Sequence, residues 1–351
     1  MISKKSIAGV FLCLLALSSM PAVAFDWATA RGFNVTPNVS DADLEYIASI
    51  GCSVVRVSFG DSPLLSLTGS YESNEATFKK LDHIIEVAKK NHLAVVIDPH
   101  ALPGFKNRYT TSPHDVFWSS DFFQNRLKLL WVQIAQRYRS DNQAVLGFDL
   151  LNEPVTAIPS AENNYFDWNK FVESLVSVIR ANNKTAHIVI EPARQLNAQG
   201  GYDSFFSALS RLKLPRADRI VVSPHMYTPM ELTHEGVLPQ FSAAVHYPGK
   251  IAGEQWDANK IRATLVVARQ YGNANHVPIF IGEFSASVIS GDDGDRYLAD
   301  LLDVMDQLSF GWAFHAFKEN PLWNPQQTTL RMASNGMTVR MNTITSALKG
   351  K

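Results

Sequence analysis

Two glutamates stand where acid–base and nucleophilic chemistry could be done. Glu153 closes the run Leu150-Leu151-Asn152-Glu153-Pro154, and Glu283 closes Ile281-Gly282-Glu283-Phe284. Each carboxyl follows an apolar stretch that reads as a buried strand. An unpartnered polar group at such a position costs several kcal/mol, so these ends call for a shared solvated cleft. Breaking a glycosidic bond uses such a pair: one carboxylic acid protonates the leaving oxygen, and a carboxylate stands on the opposite side of the anomeric carbon. A lone strand-end glutamate is accounted for by a salt bridge. Two of them on opposed strands, one in an Asn-Glu-Pro context, are better accounted for by catalysis.

The elements that must position them recur as strand followed by amphipathic helix. Strands are expected at Gly32–Val35, Val54–Phe59, Leu93–Asp98, Val145–Leu151, His187–Glu191, Ile220–Ser223, Pro278–Glu283 and Gly311–Phe314. Most are continuous apolar runs, as suits parallel strands covered on both faces. The segments between them carry helical spacing: Leu81, Ile84, Ile85 and Ala88; Phe171, Leu175, Val178 and Ile179; Leu298, Leu301, Leu302 and Met305. Eight alternating units argue for an α/β fold closed as a (β/α)8 TIM barrel in a single domain. An open dinucleotide-binding sheet would want a glycine-rich turn after the first strand, and Thr36-Pro37-Asn38 stands there instead. In a barrel the carboxyl ends of the strands share one mouth. Those ends offer Arg56, Asp98 with His100, Asn152 with Glu153, Glu191, His225 with Tyr227, Glu283, and His315. Strands four and seven face each other across that mouth, so Glu153 and Glu283 should lie ~5 Å apart, the separation of a retaining mechanism.

The first 24 residues are set aside as a signal peptide: Lys4 and Lys5, an apolar stretch from Ile7 to Leu17, and Ala22-Val23-Ala24 before Phe25. The apolar stretch is too short to span a bilayer. The expectation is therefore a secreted protein, extracellular or periplasmic, with no membrane anchor after cleavage. Residues 25–351 then form one catalytic domain, acting as a monomer. Loss of Lys4 and Lys5 leaves 30 basic against 33 acidic residues, a net charge of −3. So weak a charge excludes electrostatic capture of nucleic acid as the main activity. Cys52 is the one cysteine left after cleavage, so no intramolecular disulfide is expected and the thiol reads as a buried structural one.

The chain resembles glycoside hydrolase family five, the large cellulase family, over roughly Arg31 to Phe317. The resemblance is carried by Arg31-Gly32-Phe33-Asn34, Val55-Arg56-Val57, Asp98-Pro99-His100, Asn152-Glu153-Pro154, His225-Met226-Tyr227 and Gly282-Glu283-Phe284, in order and at barrel spacing. The segments His225–Pro229, Thr233–Gly236 and Tyr247–Gly249 look like a bacterial endoglucanase-type subgroup. The resemblance implies a polysaccharide or oligosaccharide substrate, no cofactor and no metal. It implies Glu153 as acid/base and Glu283 as nucleophile. Arg56 would hold Glu283 ionised, Asn152 would bind the sugar 2-OH, Tyr227 would donate to Glu283, His225 would sit close to Glu153, and His100 would bind hydroxyls of the sugar next to the scissile bond. The chain departs from the family at His315, where a tryptophan platform is usual. Either the alignment slips and Trp312, Phe317 or Trp323 fills that place, or His315 stands there and the platform is lost. Trp118, Trp256 and Trp323 are further candidate sugar platforms. Cellulose-type glucan is the expected substrate; mannan, β-1,3-glucan and glycolipid glycans stay open, as does a weakly active glycan-binding barrel. A metal-dependent barrel hydrolase would want His-x-His on the first strand, and Arg31–Thr36 holds no histidine.

Overall fold

A computed structural model describes residues 25–104, 116–139, 144–156, 167–195, 202–328, 333 and 336–349. The expected signal segment lies outside them. The barrel strands are β1 Arg31–Val35, β2 Val54–Ser58, β3 Ala94–Asp98, β4 Val145–Asp149, β5 His187–Ile190, β6 Ile220–Val222, β7 Phe280–Phe284 and β8 Gly311–Phe314. All pair in parallel, in the order β7-β8-β1-β2-β3-β4-β5-β6. The ends of that order meet through parallel bridges Val222–Ile279 and Met226–Phe284, which close the barrel. A helix follows each strand: α1 Asp41–Ser49, α2 Glu75–Lys90, α3 Asp121–Arg137, α4 Trp168–Asn182, α5 Phe205–Ala208, α6 Ala258–Asn275, α7 Gly291–Gln307 and α8 Val339–Leu348. The fold is the (β/α)8 barrel that the alternating pattern implied.

Why the helices form is local. The Asn74 side chain accepts from the Thr77 backbone N–H at the start of α2, and Asp167 does the same for Lys170 at the start of α4. Lys89 and Lys90 sit in the last turn of α2 and Asp292 and Asp293 in the first turn of α7, each at the favourable end of the helix dipole. Leu81, Ile84, Ile85 and Ala88 are buried, as are Leu298, Leu301, Leu302 and Met305. These faces join Val55, Val57, Ile97, Phe148, Ile188 and Ile281 in one large core between strands and helices.

The inside of the barrel has a different composition, and it is this that builds the site. Val54, Val96, Val189, Val221, Phe280 and Ala313, with Trp27 and Ala30 at the base, form a separate buried apolar cluster. Side chains alternate along a strand, so the residues two positions further on point the same way. They are Arg56, Asp98, Glu191, Ser223, Gly282 and His315, joined by Asn34 and Asp149 two positions after Gly32 and Gly147. An apolar floor thus carries a polar layer directly above it. Glycine is needed in both tiers. A Cβ on Gly32 would lie 1.7 Å from the Val54 carbonyl oxygen, and one on Gly282 would lie 2.4 Å from Ser223 Oγ. Cys52 is buried and unpaired, and burial pushes its thiol pKa up. Among the described residues no helix is long and apolar enough to cross a membrane.

Candidate active site

Arg56 is the centre of the polar layer. It is fully buried, and its guanidinium meets four carboxylates. Nε donates to Asp149 Oδ2 at 2.8 Å and Nη1 to Glu283 Oε1 at 2.7 Å. Nη2 lies 3.1 Å from both Glu191 Oε1 and Asp98 Oδ2. The Asn34 and Asn152 side-chain oxygens accept from Nη1 and Nη2 at 2.9 and 3.0 Å. Burial alone would favour losing the charge, but the surrounding acids raise the Arg56 pKa well above its ordinary value.

Glu283 comes up at the end of β7 with its carboxylate almost wholly buried. Burial would raise its pKa. His225, His315, Arg56 and His100 outweigh burial and hold it well below the ordinary range. Tyr227 Oη donates to Glu283 Oε2 at 3.1 Å. His225 Nδ1 and His315 Nδ1 lie 3.7 and 3.9 Å from the same oxygen, and His100 Nδ1 lies 4.0 Å from Oε1.

Glu153 has other neighbours. Its backbone N–H donates to Glu191 Oε2 at 2.8 Å, which braces a φ of +42°, a region that residues with side chains seldom adopt. Oε1 lies 2.9 Å from His225 Nδ1, and Oε2 accepts from Arg194 Nη2 at 2.8 Å. One carboxylate oxygen each of Glu153 and Glu283 and one ring nitrogen of His225 lie within 4.8 Å of one another. His225 is fully buried. Burial would strip its proton, but Glu191, Glu283 and Glu153 raise its pKa to about 10.

Asn152 and His100 orient each other. His100 Nδ1 faces Asp98 Oδ2 at 2.8 Å, and its Nε2 lies 3.2 Å from Asn152 Nδ2. On the far side of Glu283 a ring cluster forms. Trp323 packs edge-on against His315 at 5.9 Å and His234 at 5.2 Å, and at 6.1 Å from Tyr227. His315 itself stands 6.4 Å from Tyr227 and next to Glu283. The structure therefore puts His315 at the mouth. Trp312 is buried against Phe284, and Phe317 against Phe33 and Tyr46. Trp256 is buried as well, and Trp118 packs on Phe117 and Trp168.

Of the residues singled out in the sequence, Glu153, Glu283, Arg56, His100, Asn152, His225, Tyr227, His315 and Trp323 gather at one mouth. Glu191, also named from its strand end, shares Arg56 with them. Two more belong there. Asp149 shares Arg56 as well, and the two-residue step along β4 from Gly147 was the signal that could have found it. Burial, with Glu191 and Asp98 adding to it, raises the Asp149 pKa well above the carboxylate range despite Arg56. Arg194 carried no signal. It reaches Glu153 because a two-residue parallel ladder, Val155–Thr156 with Arg194–Gln195, ties its loop to the loop after β4. Among the described residues, the triads Asp98-His100-Glu283 and Glu153-His225-Glu283 have metal-ligand atoms within 4.8 Å of one another. Both use Glu283, whose oxygens already accept from Arg56 and Tyr227, and a metal there would sit against the Arg56 guanidinium. Chemically, the site offers one carboxylate kept ionised by cations and a second carboxyl beside it in a different setting.

The model of the family described as Cellulase (glycosyl hydrolase family 5) matches residues 20–321. Cellodextrinase A of Ruminococcus flavefaciens is 24% identical over 266 residues, 74% of this chain and 72% of that protein. Endoglucanase C of Acetivibrio thermocellus is 24% identical over 309 residues, 80% of this chain and 84% of that protein. Among solved structures, the endoglucanase Cel5A from the hyperthermophilic Thermotoga maritima superposes with a TM-score of 0.69 at 25% identity, covering 92% of this chain and 98% of its own.

Proposed function

The chain belongs to glycosyl hydrolase family 5 and is a glycoside hydrolase, and from that premise we propose that it cleaves β-1,4-glucan internally, with retention at the anomeric carbon. In this reading Glu283 attacks the anomeric carbon and forms a glycosyl-enzyme intermediate, while Glu153 protonates the leaving oxygen and then deprotonates water. The observation that carries it is the approach of the two carboxyls to within 4.8 Å, one bonded to Arg56 and Tyr227 and the other bonded to neither. Wider separations, leaving room for a water beneath the sugar, belong to inverting enzymes. Asn152, pinned between Arg56 and His100, is set to bond the 2-OH. Arg56 and Tyr227 position Glu283, and His315 and Trp323 flank the sugar that becomes covalently held. The similarity to endoglucanases supports the internal cut and the glucan backbone. The basic and apolar N-terminal run supports export from the cytoplasm, and we read the domain as working alone, as a monomer.

The test is product analysis on a panel of β-1,4-glucan, xyloglucan, mannan and β-1,3-glucan, with NMR of the earliest product. Cleavage of soluble β-1,4-glucan into oligosaccharides, with the β anomer first, is the expected result. Initial appearance of the α anomer would sink the double displacement, and turnover of mannan or β-1,3-glucan alone would move the substrate.

A further inference from the structure

Arg194 stands outside everything assigned so far. Its Nη2 donates to Glu153 Oε2 at 2.8 Å, and Glu153 is its one acidic partner among the described residues. The side chain is mostly buried, with Cζ 4.5 Å from the Phe205 ring centroid and 5.1 Å from that of Tyr202. Its backbone N–H donates to the Pro154 carbonyl at 2.9 Å, one residue beyond Glu153. Backbone, ring contacts and ion pair therefore fix this cation against the carboxyl.

The consequence follows from what a proton donor needs. Among the described residues, the groups facing Glu153 include Arg194 from the loop after β5, His225 from the loop after β6, the Glu191 carboxylate at its backbone, and Glu283 within 4.8 Å from β7. The His225 charge is shared with Glu191 and Glu283, at 3.2 and 3.7 Å. Arg194 spends its charge on Glu153. Resting on the reading of Glu153 as acid/base, we propose that Arg194 is a positioning residue that locks the Glu153 carboxylate in place and biases it toward its ionised, base form. Such a bias favours the second half of the reaction, where Glu153 takes a proton from water. It weakens the first half, where Glu153 must give one. The enzyme should in consequence work best at a more acidic pH than the same site without Arg194.

Removing the cation should let Glu153 keep its proton to higher pH. An opposite charge this close lowers a carboxyl pKa by ~1 unit or more. In Arg194→Met and Arg194→Gln, the alkaline limb of kcat/KM on cello-oligosaccharides should move up by about one pH unit, a tenfold gain on that limb. Arg194→Lys should return the limb toward that of the wild type. With a dinitrophenyl glycoside, whose leaving group needs no proton, the limb should stay where it is in every variant. An unmoved limb on cello-oligosaccharides in whichever of the Met and Gln variants folds, judged by thermal unfolding, overturns the proposal and leaves Arg194 as packing. The Glu153 assignment is checked separately: if Glu153→Ala is equally impaired on both substrates, that reading fails whatever Arg194 does.

Discussion

Glu153 and Glu283 carry the same functional group and differ in what surrounds it. Glu283 lies inside the ring of Arg56, His225, His315 and His100, whereas Glu153 meets His225 and Arg194. Glu283→Ala should lower activity on natural and dinitrophenyl substrates alike by several orders of magnitude, because no covalent intermediate forms. Glu153→Ala should spare the glycosylation step with dinitrophenyl glycosides, accumulate the intermediate, and be rescued by azide as a β-glycosyl azide, which needs no general base. Mass spectrometry of the trapped enzyme reads this directly, and accumulation in the Glu283 variant instead would reverse the two roles. His315 faces Glu283 and Trp323, so His315→Trp should place a flat ring against the bound sugar and lower KM for glucan oligosaccharides severalfold. A rise in KM would mean that histidine is there for a polar contact. His225 gives a pH signature in stability. Its folded-state pKa is about 10 against an ordinary 6.5, so the stability its charge contributes is complete below pH 6.5 and is lost as pH rises through about 10. The Tm gap between the wild type and His225→Gln should therefore shrink across that window, and a constant gap would mean that the buried ring is neutral.

At the scale of elements, the alternation inside each strand sets a boundary between apolar floor and reactive layer. Gly32 and Gly282 mark the two tiers. Alanine at 32 would press on the Val54 backbone, which belongs to the neighbouring strand and cannot rotate away. Alanine at 282 would press on the Ser223 hydroxyl and lie 3.3 Å from His225 Nε2. Overpacking a tight core costs ~1–3 kcal/mol. Gly32→Ala should exceed that range or prevent folding, while Gly282→Ala should stay within it but lower kcat by displacing His225. Denaturant unfolding alongside kinetics separates the two, and equal stability loss in both would contradict the two-tier description. The strands and the residues ending them were legible in the sequence because parallel barrel strands are apolar on both faces and polar only at the mouth. The start of β7 was drawn two residues early, since Pro278 and Ile279 carry the same apolar signal as the strand and engage the neighbouring β6 only through a backbone bond and an isolated bridge. Asp149 was passed over inside Phe148-Asp149-Leu150, where a single acid reads as an interruption and not as an Arg56 partner. Arg194 was invisible because its approach depends on a two-residue ladder between loops, which no periodicity encodes.

Taken as a whole, the barrel is not equally tied all the way round. β2 and β3 pair over five consecutive residues, whereas β6 and β7 meet at the Val222 N–H to Pro278 carbonyl bond of 3.1 Å and the Met226 N–H to Glu283 carbonyl bond of 2.9 Å. Amides of Val222 and Met226 should therefore exchange with solvent faster than those of Val55 to Val57, because thinly bonded segments open locally at lower free energy. Hydrogen exchange by mass spectrometry reads this, and equal protection on both seams would contradict it. The second of those two bonds is made by the backbone of Glu283, so the clasp that shuts the cylinder is also the mount of the proposed nucleophile. Warming should accordingly silence the enzyme reversibly before its helical signal is lost. A sugar lying across Tyr227 and Glu283 would then act as a bolt through the clasp, guarding the chain against heat most where it is being cut itself.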